Sequence, residues 1–535
     1  MKYIFYIILF LSAYNSKAQL RDNKLSFSHT SGFYTRNFAL KISSENNDTI
    51  RFTSNGGIPT YYSPIFLDSI PISILSYIPD SLVNIKTSPR NCQGHTNKYK
   101  ANILRFATFK NGIQTSPIYN QSYFVGNAKQ KRYRNVPLIS LITDANNFFN
   151  NDTGIYVPGI HHKQNSNSGN YAQKGKKWER PVHLQFFNAE GELQFGQDLG
   201  ARIHGRIRRI PQKSIRLCAR KKYGKGTINY PFFDSQDNSK FKKIILRNSM
   251  GCWQKTLFKD QLTSFLCQDL NFEIAASQPV IVFLNGEYWG IHVIREYFND
   301  DYFSNKFLVP KDSVNLVKHD YGISAASNSK RDIEEGNGEG LKDLYSFLAN
   351  TDLTENSNYI AMQKRIDINS VIDYYCAEIF FNNKDWPNNN NVLWSIGRYG
   401  QWRQIFSDLD AGWLNPEKNT LSFLLSSNSS ATYLFRKLMT SPEFQIQFSK
   451  RMACLLSNEF NQENILDAID KYETLYDPII QEHIYRWEIP GSINQWKNKI
   501  ALLRSFAKNR STYIIKDFKE KFGSSFDIDP DNCYK

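Results

Sequence analysis

The chain has 535 residues, 41% hydrophobic and 14% aromatic, enough for about two to four packed domains and too apolar for a disordered polymer. Its formal net charge of +16 fits either a basic, solvated surface or an acidic partner, namely a phosphorylated ligand, an anionic envelope surface or nucleic acid. No zinc-finger spacing, recognition-helix pattern or dense Lys/Arg run accompanies that charge, so nucleic acid is set aside, and no CxxC pair offers a cysteine zinc site.

Residues 1–18 have the parts of an export leader: Lys2, the apolar run 3–11, and the small-x-small site Ser16-Lys17-Ala18. No other apolar run reaches the ~20 residues of a membrane helix. The mature chain is therefore expected to be exported (periplasmic, cell-surface or secreted) without a transmembrane segment. Export permits disulfides, but the spacing of Cys92, Cys218, Cys252, Cys267, Cys376, Cys454 and Cys533 does not fix their pairing. Cys376 is expected to be a buried free thiol.

Residues 25–127 read as a small all-β domain. Alternating runs at 38–42, 50–53 and 103–109 are separated by Gly, Pro and Asn turns, and Asn111-Gly112 is a hairpin signal. The opening Phe27-Ser28-His29-Thr30-Ser31-Gly32-Phe33-Tyr34, the strand Ile50-Arg51-Phe52-Thr53 and the closing Ser116-Pro117-Ile118-Tyr119 with Tyr123-Phe124-Val125 resemble the chitobiase C-terminal-like module. That resemblance implies an immunoglobulin-like β-sandwich acting as a spacer or as a weak binder of cell-envelope glycans.

An apolar strand is expected at 136–143, then a polar turn or short helix, then a low-complexity loop holding His161-His162. With no third ligand nearby in sequence, that His pair reads as a solvated loop. Strands follow at 182–187 and on both sides of Gly205-Arg206-Ile207-Arg208-Arg209, a basic glycine-bearing connection of the kind that lays N–H groups and Arg side chains against phosphate. Arg209 belongs to it, and Lys213 starts the next strand as a candidate fixed cation. After a strand at 241–246 and a helix at 257–270, Asn285-Gly286 turns a hairpin that ends at Arg295-Glu296. Glu296 either touches a nucleotide or pairs with Arg295. Residues 325–340 read as a flexible insert.

Ile368, Val371, Ile372, Tyr375 and Ile379 share one helical face, with Asp367 or Ser370 as its cap. The loop Asn383-Lys384-Asp385-Trp386-Pro387-Asn388-Asn389-Asn390-Asn391 follows, then a hairpin across 392–406, then Asp408-Leu409-Asp410. Phosphoryl transfer needs a carboxylate near the attacking hydroxyl, metal ligands and a cation on the phosphates. Asp385 fits the first role. Asn390 or Asn391 and Asp408 fit the second, with Asp410 as a further ligand or a turn cap. Lys213 fits the third. Past residue 428 the pattern is helical, and His483, Arg486 and Trp487 read as packing residues.

Ordered words carry a family resemblance: Arg202-Ile203-His204-Gly205, Pro211-Gln212-Lys213-Ser214-Ile215-Arg216-Leu217, Leu246-Arg247-Asn248, Lys259-Asp260-Gln261-Leu262, Asn285-Gly286-Glu287-Tyr288-Trp289-Gly290-Ile291, Asn383-Lys384-Asp385-Trp386-Pro387 and Asp408-Leu409-Asp410-Ala411-Gly412. With them, residues 136–510 resemble the spore coat protein CotH kinase family of secreted atypical protein kinases. The resemblance implies ATP, Mg2+ or Mn2+, and transfer to protein Ser or Thr hydroxyls. The expected architecture is multidomain. An immunoglobulin-like sandwich at 19–130 precedes an α+β, two-lobe, kinase-like domain at 131–535, with lobes at about 131–300 and 301–520 and a helical C-terminal region. The competing expectation is a non-catalytic surface or matrix protein that keeps this fold.

Overall fold

In a computed structural model of the chain, the described residues are 24–75, 82–89, 99–126, 133, 135–233, 238–318, 333–523, 526 and 533. The leader expected at 1–18, Cys92 and residues 325–332 of the expected insert lie outside them, whereas 333–340 hold the strand Ile333–Glu335 and the start of the helix Glu339–Asn350 instead of a flexible stretch. No helix among the described residues is long and apolar enough to cross a membrane.

The N-terminal region is all-β, as its alternation predicts. The strands Gly32–Tyr34, Thr49–Thr53, Asn102–Lys110 and Tyr119–Val125 form one sheet, with Ile113–Gln114 folded back on Asn102–Lys110. Two short ladders, Leu25–Phe27 with Ile42–Ser44 and Phe38–Leu40 with Ile70–Ile72, complete it. Leu40, Ile50, Ile72, Leu104, Phe106 and Val125 fill its core.

Seven strands then close into a barrel: Leu138–Ile142, Arg180–Phe187, Leu193–Ile203, Ile215–Cys218, Lys243–Arg247, Glu287–Glu296 and Ser277–Leu284. All pairs are antiparallel except the closing one, Leu138–Ile142 with Ser277–Leu284. Along each strand side chains alternate between faces. Ala201, Ile203, Ile215, Leu217, Ile244 and Leu246 point into a buried core. The residues between them point outward, and that outer face forms one wall of the cleft described below. Asn285 and Gly286, at φ +47 and +82, make the hairpin turn expected from their sequence.

The helical half begins at Lys259–Leu266 and resumes after Asp300–Phe307. A second sheet pairs Glu273–Ile274, Arg403–Phe406, Val392–Ile396, Val314–Lys318 and Ile333–Glu335 in that order. The helix Ile368–Phe381 lies against it and is buried on nearly every side. Asp367 caps this helix by accepting from Ser370 N at 3.1 Å, a contribution of about 1 kcal/mol. The helices Pro442–Ser457, Gln462–Trp487 and Ile493–Phe522 finish the chain. Cys454 is disulfide-bonded to Cys533, and Cys376 is a buried free thiol, as expected.

Candidate active site

A cavity of about 1090 Å3 opens between the outer face of the barrel and the second sheet. On its floor, Val392–Ile396 and Arg403–Phe406 are antiparallel, with Val392 opposite Ile405. The residues just before the first strand and just after the second therefore meet at one end. That register brings Asn390 and Asp408, on either side of the hairpin, to the same wall. Both backbones are left-handed, at φ +62 and +61, which turns each chain sharply at the mouth of its strand. Asn391 is buried instead and does not line the cavity. The structure thus brings Asn390 rather than Asn391 to the cleft.

Asp385 lines the same cavity and is exposed to it. Its loop is anchored by Trp386, buried against Tyr374 and Tyr375 with ring centroids at 6.0 and 5.4 Å. Asn383 accepts from Asp385 N at 3.3 Å, and Asn389 N donates to Asp385 O at 3.0 Å. Beneath the loop, Arg510 is fully buried and spends its guanidinium on backbone alone. It donates to Ile379 O and Phe380 O at the end of the preceding helix, and to Pro416 O and Lys418 O. Burial lowers it to about 10.

Asp408 and Asp410 meet a cation that sequence reasoning passed over. Arg247, at the end of Lys243–Arg247, donates to Asp408 Oδ1 and, at 3.0 Å, to Asp410 Oδ2. Asp408 remains 43% exposed and Asp410 only 12%. Gly251 N also donates to Asp410 Oδ2, at 2.9 Å, and a Cβ on Gly251 would stand 2.9 Å from Asp410 Oδ1. The glycine is needed for that approach. Burial, opposed by Arg247 and reinforced by Asp408 and Asp260, raises the Asp410 carboxyl above its usual range.

The helix Lys259–Leu266 braces this segment from behind. Lys259 Nζ donates to Gly412 O at 2.7 Å, and Asp260 Oδ1 accepts from Leu409 N at 2.8 Å. The other oxygen of Asp260 accepts from Arg295 at 2.7 Å. Burial pushes the Asp260 carboxyl up, but Arg247 and Arg295 outweigh it and hold the group below its usual range.

The phosphate cation expected at Lys213 is not in the cleft. Lys213 shares strand parity with Ile215 and Leu217, so it faces inward. Its ammonium is buried, donating to Thr87 O at 2.8 Å and Ile210 O at 2.6 Å, above the Tyr171 ring at 4.3 Å. Burial drives it well below the usual lysine range. The cleft receives the opposite parity instead. Arg202, Arg216, Ile245 and Arg295 stand opposite one another across four strands, and all four line the cavity. Like charges directly opposite on a sheet repel, and neither Arg202 nor Arg216 has a carboxylate partner among the described residues. Burial, followed by Arg216, Arg247 and Arg208, pushes the neighbouring His204 down to about 3.

Arg209 and Glu296 also line the cavity. Glu296 does not pair with Arg295, which is committed to Asp260. It is buried, accepts from Ala276 N at 3.0 Å and Asn238 Nδ2 at 3.3 Å, and is raised by burial to about 7. His483, Arg486 and Trp487 are packing residues: Ile291 N donates to His483 Nδ1 at 3.1 Å, and Trp487 Nε1 donates to Trp289 O at 3.1 Å. His161 and His162 bond to Asn170 and Ser168 within their own loop. Among the described residues no group of three or more His, Cys, Asp or Glu side chains is arranged to hold a metal ion.

A signal for Arg247 was present in the sequence. The word Leu246-Arg247-Asn248 closes a strand whose inward residues are Ile244 and Leu246, so Arg247 had to face outward. A search of curated proteins returned no match. Among solved structures, the crystal structure of a Helicobacter pylori proinflammatory kinase, CtkA, is similar at 11% identity, with 60% of this chain and 93% of that one covered and a TM-score of 0.22. A family model described as CotH kinase protein matches residues 201–514, which hold every carboxylate, amide and arginine of the cleft named above. With more than half of its length matched, this chain belongs to the CotH kinase family.

Proposed function

We propose that the cleft transfers the γ-phosphoryl group of ATP to a Ser or Thr hydroxyl of a protein, with Mg2+ or Mn2+ as the metal. The observation that carries this reading is the convergence on one cavity of Asp385, Asn390 and Asp408 with the Arg202–Arg216 couple, which has no carboxylate partner among the described residues.

The apolar end of the cavity, lined by Ala275, Tyr297, Phe298, Leu316, Val392 and Ile405, suits an adenine ring. Glu296 stands beside it on the strand that leads to Tyr297. Arg202 and Arg216 take over the phosphate role expected of Lys213, with Arg209 on the loop above them. The donor set fits a hard divalent cation, which favours oxygen ligands and keeps several waters and substrate oxygens of its own. Asp408 and the Asn390 amide oxygen would hold it, and Asp410, tied to Arg247 and Gly251, would support Asp408. When bound, the metal would supply positive charge that offsets the charge of the nucleotide phosphates.

Asp385 accepts the proton of the acceptor hydroxyl. The acceptor oxygen forms a bond to the γ-phosphorus as that phosphorus separates from the β–γ bridging oxygen, and ADP departs. We further read the N-terminal sheets as an immunoglobulin-like accessory module that faces envelope glycans, and the protein as exported, on the strength of the sequence patterns at 1–18 and 27–125.

The test is labelled ATP with Mg2+ or Mn2+ and a generic acceptor. Asp385→Asn is expected to cut labelling by about 10^2–10^4-fold while nucleotide still binds. Asp408→Asn is expected to abolish metal-dependent nucleotide binding. Equal labelling by Asp385→Asn removes that residue from its role. A wild-type protein that binds no nucleotide with either metal is the non-catalytic surface or matrix protein instead.

A further inference from the structure

The cleft is more cationic than a nucleotide requires. Among its lining residues are ten Lys or Arg and five Asp or Glu, against 66 and 50 in the whole chain. The imbalance is therefore local and not merely the average of a basic protein. Several of the ten are already engaged. Arg247 holds Asp408 and Asp410, Arg295 holds Asp260, and Lys318 holds Glu334 at 2.6 Å. Arg208 is spent on backbone, donating to Gly205 O at 2.6 Å and lying near the carbonyls of Tyr171, Ala172 and Gln173.

Six cations remain without a carboxylate partner among the described residues: Lys174, Arg202, Arg206, Arg209, Arg216 and Lys255. They fall into two sets. Arg202 and Arg216 lie on the barrel wall, part-buried, where the nucleotide phosphates are read. Three phosphates with a bound divalent cation carry roughly two net negative charges, which that couple already matches. The other four stand on loops. Arg206 and Arg209 are on the 205–211 connection and Lys174 is on the loop beside it. Lys255 follows Gly251, whose N–H meets Asp410. Arg206 and Lys174 are exposed to solvent. Exposed cations without partners at the mouth of a cleft raise the local concentration of an anionic ligand.

We propose that the acceptor of this cleft is an acidic peptide segment, a Ser or Thr hydroxyl flanked by Asp and Glu side chains that Lys174, Arg206, Arg209 and Lys255 receive. The inference rests on the reading of the cleft as a phosphoryl-transfer site and adds the charge of the chain that enters it. The carboxylates stay outside the reacting centre. They meet the loop cations while the hydroxyl reaches Asp385.

The test is a binding measurement, so it does not depend on turnover. Dye-labelled peptides with one Ser in an Asp/Glu, a neutral or a Lys/Arg context are titrated by fluorescence anisotropy against the full chain with Mg2+ and ADP present. The acidic peptide is expected to bind at least about tenfold more tightly than the neutral one, and the basic peptide more weakly than either. Raising salt from about 50 to about 300 mM is expected to erode the difference, because Lys174 and Arg206 are exposed. The double variant Lys174→Glu/Arg206→Glu is expected to reverse the order. Neutral or basic peptides that bind as well as the acidic one overturn the proposal, and so does a preference that survives the double reversal. The wild-type ranking needs no variant to fold. Phosphotransfer without an acidic preference would leave the kinase reading standing and remove this one. Acidic-peptide binding without any transfer would remove the kinase reading and the acceptor role with it, and would leave a cleft that only binds acidic segments.

Discussion

Glu296 offers the sharpest quantitative check on the cleft. Its carboxyl is buried at the end of the last barrel strand, and burial lifts it from an ordinary 4.5 to about 7, against the opposing hydrogen bonds from Ala276 N and Asn238. A carboxyl raised in the folded state favours folding fully below its unfolded value and loses that contribution as the pH rises through the folded one. The gap between the two values is about 2.5 on the pH scale, at roughly 1.4 kcal/mol each, so about 3 kcal/mol is at stake. Most of it disappears between about pH 5 and about pH 8. Glu296→Gln keeps the shape and can still accept from Ala276 N, but it cannot ionise. The variant is expected to match the wild type near pH 5 and to exceed it by about 2–3 kcal/mol near pH 8 in urea unfolding followed by tryptophan fluorescence. If both proteins lose stability in parallel across that window, the burial argument for Glu296 is wrong.

Three further changes probe the frame around the cleft. Arg247→Met leaves Asp410 buried without its cation and is expected to cost about 3–5 kcal/mol in denaturant unfolding, whereas a surface pair would cost under 1. Lys213→Met strands the carbonyls of Thr87 and Ile210 and is expected to cost about 1–3 kcal/mol without weakening Mg2+-dependent ADP binding in calorimetry. A tenfold loss of ADP affinity in a stable Lys213→Met protein would restore the phosphate role to that lysine. Arg510→Met removes donors from four carbonyls beneath the Asp385 loop, and a loss of at least about 3 kcal/mol is expected.

Local patterns carried most of the secondary structure. The helix Ile368–Phe381, its Asp367 cap, the hairpin after it and the Asn285-Gly286 turn follow from periodicity and turn chemistry, because each is decided by residues close in sequence. The barrel was not legible. Its closing pair joins Leu138–Ile142 to Ser277–Leu284 across more than a hundred residues, and no local pattern records a partner that distant. The site divides the same way. Asp385, Asn390 and Asp408 sit on a loop and hairpin whose geometry is local, and the structure brings all three to one cavity. Lys213 was assigned by residue type and position at a strand start, without asking which face it shared. Strand parity answers that, since a side chain in step with Ile215 and Leu217 must enter the apolar core, and Arg216 must not.

The same buried lysine changes how the N-terminal region is understood. A spacer should touch its neighbour lightly, yet residues 82–89 are bound into the barrel. Glu287, in the hairpin next to Gly286, accepts from the backbone N–H of Leu82 and Val83 and from Lys100 Nζ at 2.9 Å. Phe124 of the N-terminal sheet packs against Phe187 and Phe283 of the barrel at 5.5 and 5.1 Å. Ser88 Oγ donates to Arg209 O at 2.7 Å, and Thr87 O holds the Lys213 ammonium. Both contacts fall at the base of the connection that carries Arg206 and Arg209 over the cleft. A loop of that length bearing so many like charges would not keep one shape by itself, because its own repulsion opposes compaction. Lys213 resolves this by facing inward, where it ties the base of the loop to the strap from the N-terminal sheet. The residue expected to hold phosphate instead fixes the base of the loop that carries Arg206 and Arg209, and the N-terminal region is part of the structure that shapes the cleft.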